Sequence, residues 1–394
     1  MDLADSAKYL MNTYGRQPVA FTRGEGMRLF DDRGREYLDF CAGIAVTALG
    51  HAHPGVAAAL AEQAQRLIHT SNLYHIEPQV ELARWLCGHS FADHVFFCNS
   101  GAEANEAALK LARRWGAQNK DGAYEIIATA GSFHGRTMFA LSVTGQSKFH
   151  AGFEPLVPGI VTVPYDDAEA VERALTARTA AVIVEPIQGE GGILVPSPGY
   201  LPRLREICDQ NRVLLIYDEV QTGMGRTGPL FAYEEMGAAP DIMTLAKALG
   251  NGFPIGATLA REEVAAAFAP GAHASTFGGN FLACRAGLAV AAALDDGSLL
   301  ARARETGAYF QARLRELKAR HDAAMEVRGK GLLLGLALDR PGAGVVSFCL
   351  ERGMVINCTA ERVLRFTPPL IVTAGEIDKL IPVLDDALAG LESK

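Results

Sequence analysis

The chain has 394 residues, of which 49% are hydrophobic and 21% charged, enough for a large folded core and two or three domains, and unlike a disordered chain. Its formal net charge of −8 argues against a surface made for nucleic acid or anionic membranes, though small basic sites for anions can still exist on an acidic protein. The N-terminal MDLADSAKYLMN lacks the apolar stretch of a signal peptide, and no apolar run reaches membrane-spanning length. Seven scattered cysteines (41, 87, 98, 208, 284, 349, 358) without a CxxC pair read as reduced thiols, so a cytoplasmic location is expected. His51 and His53 have no carboxylate or thiol at a helpful spacing, so no metal site is expected.

Residues 1–18 read as a short amphipathic lead-in ending at Pro18. Residues 21–40 alternate in two runs around Asp32-Arg33-Gly34, which predicts a β-hairpin. An Ala-rich helix starts near Pro54, helical periodicity returns over 78–89, and Val95–Cys98 is a short buried strand. The best-marked helix opens at Asn99-Ser100-Gly101-Ala102-Glu103. Ser100 and Glu103 have capping-box spacing, and Ala104, Ala108, Leu111 and Trp115 form its apolar stripe. Apolar strands follow at 125–129, 180–184 and 213–217, with a helix over about 202–210 between the last two. Strands alternating with helices, each apolar throughout, predict an α/β fold with a mainly parallel sheet covered on both faces. GMGRTG at 223–228 matches the GxGxxG fingerprint of dinucleotide binding. DEVQ intervenes before it and Pro229 follows it, so a bare glycine-rich loop is the better reading. Residues 281–320 are helical. The tail then mixes strands (327–338, 354–357, 363–366) with two helices, the last with a capping box at Thr373 and Glu376 and Pro382 inside to kink it.

Ligands of parallel sheets gather at the carboxyl ends of strands. There this chain places the Ser100-Gly101-Ala102 helix start, FHGR, Gln188-Gly-Glu190-Gly-Gly, Asp218-Glu219-Val220-Gln221 and, in an apolar run, Lys247. A lone lysine in such a run ordinarily snorkels to water. Its company suggests otherwise. A helix start with an adjacent glycine suits a phosphate, a carboxylate ending a buried strand suits a ring cation, and an amine in an apolar site suits an aldehyde. Those are the needs of pyridoxal phosphate, with Phe133 and Val220 available for its two faces.

The motifs NSGAEANEAALKLAR, FHGRT, VEPIQGEGG, YDEVQTGMGRTG, LAKALGNGFPIGA, STFGGN and RFTPPL resemble the class III pyridoxal-phosphate-dependent aminotransferases over roughly residues 10–390, and among them most the acetylornithine aminotransferases. The resemblance implies a type I fold, with an N-terminal segment (1–50) joining a C-terminal small domain (281–394) beside a large cofactor-binding domain (51–280). It also implies a homodimer with shared active sites. By the same resemblance, Lys247 would anchor the cofactor and shuttle protons, Asp218 would hold the ring nitrogen and Gln221 the phenolic oxygen. Phe133 and Val220 would cover the ring. Ser100, Gly101 and Ala102 would bind the phosphate, completed by Thr276 from the partner subunit. Arg136 would clamp the substrate carboxylate, Arg365 would take the α-carboxylate of 2-oxoglutarate or glutamate, and Glu190 would mask Arg365 while the amine donor is bound.

Ile44 stands where ornithine aminotransferases carry a tyrosine. An apolar side chain there suits an N-acylated rather than a free α-amine. The expected reaction is transfer of the δ-amino group of N-acetylornithine to 2-oxoglutarate. N-succinylornithine, N-succinyl-diaminopimelate, free ornithine and 4-aminobutyrate remain open as donors, as does a 2,1-aminomutase. A NAD-dependent dehydrogenase resting on GMGRTG is the alternative from another class. Asn251, where relatives usually have glycine, and Phe281, where they usually have proline, depart from the pattern near the cofactor loops.

Overall fold

The computed structural model describes residues 4–392, so the first three residues of the expected lead-in lie outside the described residues; within it Ala4–Tyr9 is helical. Residues 21–40 fold as three strands rather than the expected two: β1 (Phe21–Glu25), β2 (Arg28–Asp31) and β3 (Glu36–Asp39). β2 and β3 form the hairpin around Asp32-Arg33-Gly34, and β1 turns into β2 at Gly26-Met27, where Gly26 has φ 56°. That turn falls inside the first of the two runs read from the sequence.

Seven strands form the central sheet: β4 (His94–Cys98), β5 (Glu125–Thr129), β6 (Ile160–Val163), β7 (Thr179–Val184), β8 (Leu214–Asp218), β9 (Ile242–Leu245) and β10 (Gly256–Ala260). Their order is β4-β10-β9-β8-β7-β5-β6, and β10 runs antiparallel to both its neighbours while β9-β8-β7-β5-β6 are parallel. The middle strands are apolar on both sides because both sides are covered. Ile126, Ile183 and Ile216 pack with Ala108, Leu111 and Ala112 of the Gly101–Asn119 helix. Ile127, Val182, Val184 and Leu215 pack with Leu204 and Ile207 of the Tyr200–Asn211 helix on the opposite face.

The helical stretch after Asn280 is two helices, Phe281–Leu294 and Ser298–Arg320, because Gly297 (φ 71°) breaks the run. The first packs on the Pro54–Arg66 and Glu77–Gly88 helices. The strand expected over 327–338 is a hairpin of β11 (Ala324–Lys330) and β12 (Leu333–Leu338). The one expected over 354–357 is divided. β13 (Met354–Val355) joins the N-terminal sheet parallel to β3, and β14 (Asn357–Thr359) joins β15 (Val363–Phe366) in the order β11-β12-β15-β14. The two chain ends therefore share a sheet. The last helix, Ala374–Glu392, contains Pro382 and opens on the expected box, with Glu376 N donating to Thr373 Oγ1 (3.3 Å) and Thr373 N to Glu376 Oε2 (2.9 Å).

Gly116 shows how closely the Gly101–Asn119 helix lies on the sheet. A Cβ there would sit 2.1 Å from Ala123 O and 3.1 Å from Ala180 Cβ. Gly116→Ala is therefore expected to destabilise the fold by about 1–3 kcal/mol despite alanine's better helix propensity. Thermal melting checks this, and an unchanged or raised Tm would refute the close approach.

Candidate active site

Asp218 ends β8 as a carboxylate only 4% exposed, and burial of that kind requires hydrogen-bond donors. Asn105 Nδ2 donates to its Oδ2 at 2.7 Å, His134 Nδ1 lies 2.8 Å from the same oxygen, and Val220 N donates to Oδ1 at 3.0 Å. The donors are themselves fixed. Asn105 Nδ2 also donates to His134 O (2.8 Å), and Asn105 Oδ1 accepts from Thr244 Oγ1 (2.7 Å). Beside them Glu185, at the end of β7, accepts from Phe133 N (2.9 Å) and Gly189 N (3.0 Å). Burial pushes its pKa up to about 7.

Asn105, Phe133, His134, Glu185, Asp218 and Val220 line a cavity of about 420 Å³ at the carboxyl ends of the parallel strands. At one end of it Ser100 caps the Gly101–Asn119 helix, its Oγ accepting from Glu103 N (3.2 Å). The reciprocal bond runs from Asn99 N to Glu103 Oε2 (2.7 Å), one residue earlier than a standard box. Among the described residues the N–H groups of Gly101 and Ala102 have no acceptor, so they are available to an anion. Gly101 has to be glycine, since a Cβ would meet Val220 Cγ1 at 2.8 Å. Lys247 also lines the cavity and has φ 44°, an unusual backbone for a non-glycine residue. Its Nζ has no hydrogen-bond or salt-bridge partner among the described residues, and desolvation pushes its pKa down.

Two arginines treat carboxylates differently. Arg136 is exposed and stacks on Phe149 at 4.0 Å, with no carboxylate partner among the described residues. Arg365 is 1% exposed; its Nη1 donates to Glu190 Oε1 and, at 3.4 Å, to Gln221 Oε1, and its Nε donates to Asn357 Oδ1 at 3.1 Å. Burial alone would raise the pKa of Glu190, but Arg365 and Lys247 reverse that and hold it below the usual carboxylate range. Thr359 Oγ1 fixes the Glu190 backbone by donating to its carbonyl at 2.7 Å.

The cavity thus brings together Ser100, Gly101, Ala102, Phe133, Arg136, Glu190, Asp218, Val220, Gln221 and Lys247, with Arg365 behind Glu190. Two expected residues lie off its wall. Ile44 is 38% exposed on the turn leading to Val46, which does line the cavity, and Thr276 is exposed on a loop edging a separate hollow. Sequence reasoning missed Asn105, His134, Glu185 and Thr244. A signal existed for two of them: Glu185 ends an apolar strand as Asp218 does, and Asn105 is a polar residue on the buried face of its helix. GMGRTG is a run of turns with Met224, Gly225 and Gly228 at positive φ, followed only by a short 3-10 turn at Ala232–Glu235. Its Arg226 donates to Leu332 O and Pro368 O, so the segment braces the chain's C-terminal part. Asn251 adopts φ 46°, which asparagine tolerates, and its amide is used at both ends, accepting from Leu49 N (2.8 Å) and donating to Gly50 O (3.1 Å). Phe281 is the first helical residue after the Asn280 cap, a position where proline is equally at home.

The chain matches the family model described as aminotransferase class-III over residues 9–388, and it belongs to that family. Its relatives include proteins named acetylornithine aminotransferase from Caldanaerobacter subterraneus, 52% identical over 97% of this chain and 98% of the relative, and from Aquifex aeolicus, 51% identical over 96% and 100%. The solved ornithine aminotransferase of Toxoplasma gondii superposes with a TM-score of 0.95 at 38% identity, covering 99% of this chain and 94% of that one. The acetylornithine aminotransferase of Elizabethkingia anophelis gives 0.88 at 32%, covering 98% of each. Class III aminotransferases depend on pyridoxal phosphate, and the residues present fit it. Two free N–H groups at a helix start, a cradle that a Cβ at Gly101 would fill, a hydrogen-bonded buried carboxylate and an unpaired lysine share one cavity.

A carboxyl group whose pKa is raised on folding stabilises the fold below its unfolded pKa, and that contribution is lost as pH rises through the folded value. Glu219, which accepts from Ala232 N (2.7 Å) and Tyr233 N (2.9 Å), is pushed by burial to about 7, as Glu185 is. Stability should therefore fall from about pH 4.5 to 7 on their account. Glu219→Gln, which cannot titrate, should show a shallower slope of Tm against pH across that window, whatever its absolute Tm; an identical slope would contradict the assignment.

Proposed function

We propose that this chain transfers the δ-amino group of N-acetylornithine to 2-oxoglutarate, giving N-acetylglutamate 5-semialdehyde and glutamate. The observation that carries the reading is Glu190 seated on Arg365 while Arg136 stays open at the mouth of the same cavity. With Arg365 neutralised, only Arg136 offers a carboxylate a bidentate cation, so a long ω-amine enters with its carboxylate outward and its amine towards Lys247. When glutamate or 2-oxoglutarate binds, Glu190 moves aside and Arg365 takes the α-carboxylate.

Pyridoxal phosphate, when bound, supplies an electron-accepting ring and holds the amino group between the two half-reactions. The Gly101 and Ala102 N–H groups and Ser100 would hold its phosphate, Phe133 and Val220 would keep water from its faces, Gln221 would meet its phenolic oxygen, and Asp218 would hold a proton on the ring nitrogen. Lys247 would hold the cofactor's aldehyde and carry protons between substrate and cofactor carbons, and the desolvation that lowers its pKa would favour it as a base there.

We also infer a homodimer. Leu67, Ile68, Leu73, Tyr74 and Phe277 are exposed apolar groups, and Asn72 ties their segments together by donating to Ser275 O (3.1 Å) and Gly278 O (2.9 Å). Thr276 projects from that patch, which supports its reaching a second subunit's phosphate site. No helix among the described residues is long and apolar enough to cross a membrane, and free cysteines fit a cytoplasmic location.

The visible spectrum tests the reading. N-acetylornithine without an oxo acid should bleach the yellow holoenzyme, free ornithine and 4-aminobutyrate should do so far less, and Lys247→Ala should abolish multiple turnovers. Equal bleaching by ornithine would retain the aminotransferase and refute acyl selectivity. Glu190→Ala should raise KM for N-acetylornithine by roughly tenfold or more while leaving glutamate bound as well or better. Parallel losses for both substrates would refute the masking role.

A further inference from the structure

Four consecutive residues beside the cavity have positive φ: Ala42 (50°), Gly43 (62°), Ile44 (66°) and Ala45 (61°). They form one left-handed turn, closed by Ala45 N to Cys41 O (3.0 Å) and Val46 N to Ala42 O (2.8 Å). Only Gly43 adopts this backbone without steric cost, so something outside the turn must hold it. Asp39, 2% exposed at the end of β3, does so from below. Its Oδ1 accepts from Cys41 N and Ala42 N, each at 2.8 Å, and its Oδ2 lies 2.8 Å from His51 Nε2. Thr367 Oγ1 donates to Cys41 O at 2.7 Å from the other side, two residues beyond Arg365. Asn251 pins Leu49 and Gly50, just past the turn, to the Lys247 loop.

We propose that Asp39, steadied by His51, is a positioning residue for substrate selection: it fixes the left-handed turn that carries Ile44 and sets where Val46 stands on the cavity wall. The selection half of this inference rests on the function proposed above, whereas the positioning half does not. Neither Asp39 nor His51 reaches the cavity, so their effect on the reaction passes through the turn.

The test uses the holoenzyme and its Asp39→Ala, Asp39→Asn and Thr367→Val variants. Backbone hydrogen exchange at residues 44–47 is read together with kcat and KM for N-acetylornithine and for free ornithine. In Asp39→Ala, exchange should accelerate about tenfold or more, KM for N-acetylornithine should rise about tenfold, kcat should stay within about threefold, and the preference over ornithine should shrink. Asp39→Asn, whose Oδ1 can still accept both N–H bonds, should keep most of the wild-type preference. Should Asp39→Ala not fold, Thr367→Val releases the turn from its other side and should shift exchange and KM in the same direction. Faster exchange with an unchanged donor preference would overturn the selection role, and unchanged exchange would overturn the positioning role. A wild-type enzyme inactive on both amines would refute the proposed function, leaving the exchange data to decide the role of Asp39.

Discussion

A carboxylate at the end of a buried strand is the constraint on which this site depends. Asp218 would be ionised at great cost without donors, and Asn105 and His134 from distant parts of the chain, with the neighbouring Val220 N–H, supply them. Asn105 comes from the helix whose first turn offers the anion site, so the bond that satisfies the acid also sets that turn's distance from it. His134 follows Phe133 in the loop after β5, and Thr244 lies within β9 three residues before Lys247. Anion site, ring wall, acid and amine are therefore located by one polar network rather than by four separate loops.

The Glu190–Arg365 pair obeys a different logic. Glu190 lies in the loop after β7 and Arg365 on β15 of the C-terminal sheet, so the pair joins two parts of the fold. A buried ion pair is a weak contributor to stability, because desolvating both charges offsets much of their attraction. That near balance suits an exchangeable contact. An incoming carboxylate can replace Glu190 at Arg365 with little net change, provided Glu190 finds water or Gln221, which already lies 3.5 Å from it.

Residues whose chemistry is unusual for their place were legible in the sequence. Ser100 before a glycine, Asp218 at the end of an apolar run and Lys247 inside another each contradict simple burial, and each stands on the cavity. The parallel sheet was legible for the related reason that strands covered on both faces cannot alternate. What was not legible depends on contacts between remote residues or on single dihedral angles. Asn105 looks like one more polar helical residue until Asp218, 113 positions away, is placed beside it. The turn at Gly26, the helix break at Gly297 and the division of 354–359 between two sheets each hang on one glycine or one hydrogen-bonding neighbour, which periodicity over a window averages out.

Ile44 is the instructive intermediate case. Its apolar character was readable, but its effect depends on a backbone that no propensity scale favours. A left-handed turn costs roughly 1–2 kcal/mol per non-glycine residue, so Ala42, Ile44 and Ala45 together represent about 3–6 kcal/mol of strain. Hydrogen bonds to an ionised group contribute about 1.5–3 kcal/mol each. The two that Asp39 Oδ1 accepts from Cys41 and Ala42 are therefore of the size needed to offset that strain. A wall held in this way resists small adjustments, because moving it means abandoning the bonds that make it possible. A turn held against its own preference keeps its shape, and the residue it sets on the cavity wall is Val46, an apolar side chain with no partner to offer an ammonium. Under the proposed function, selectivity at this position would come from what the wall refuses to accommodate.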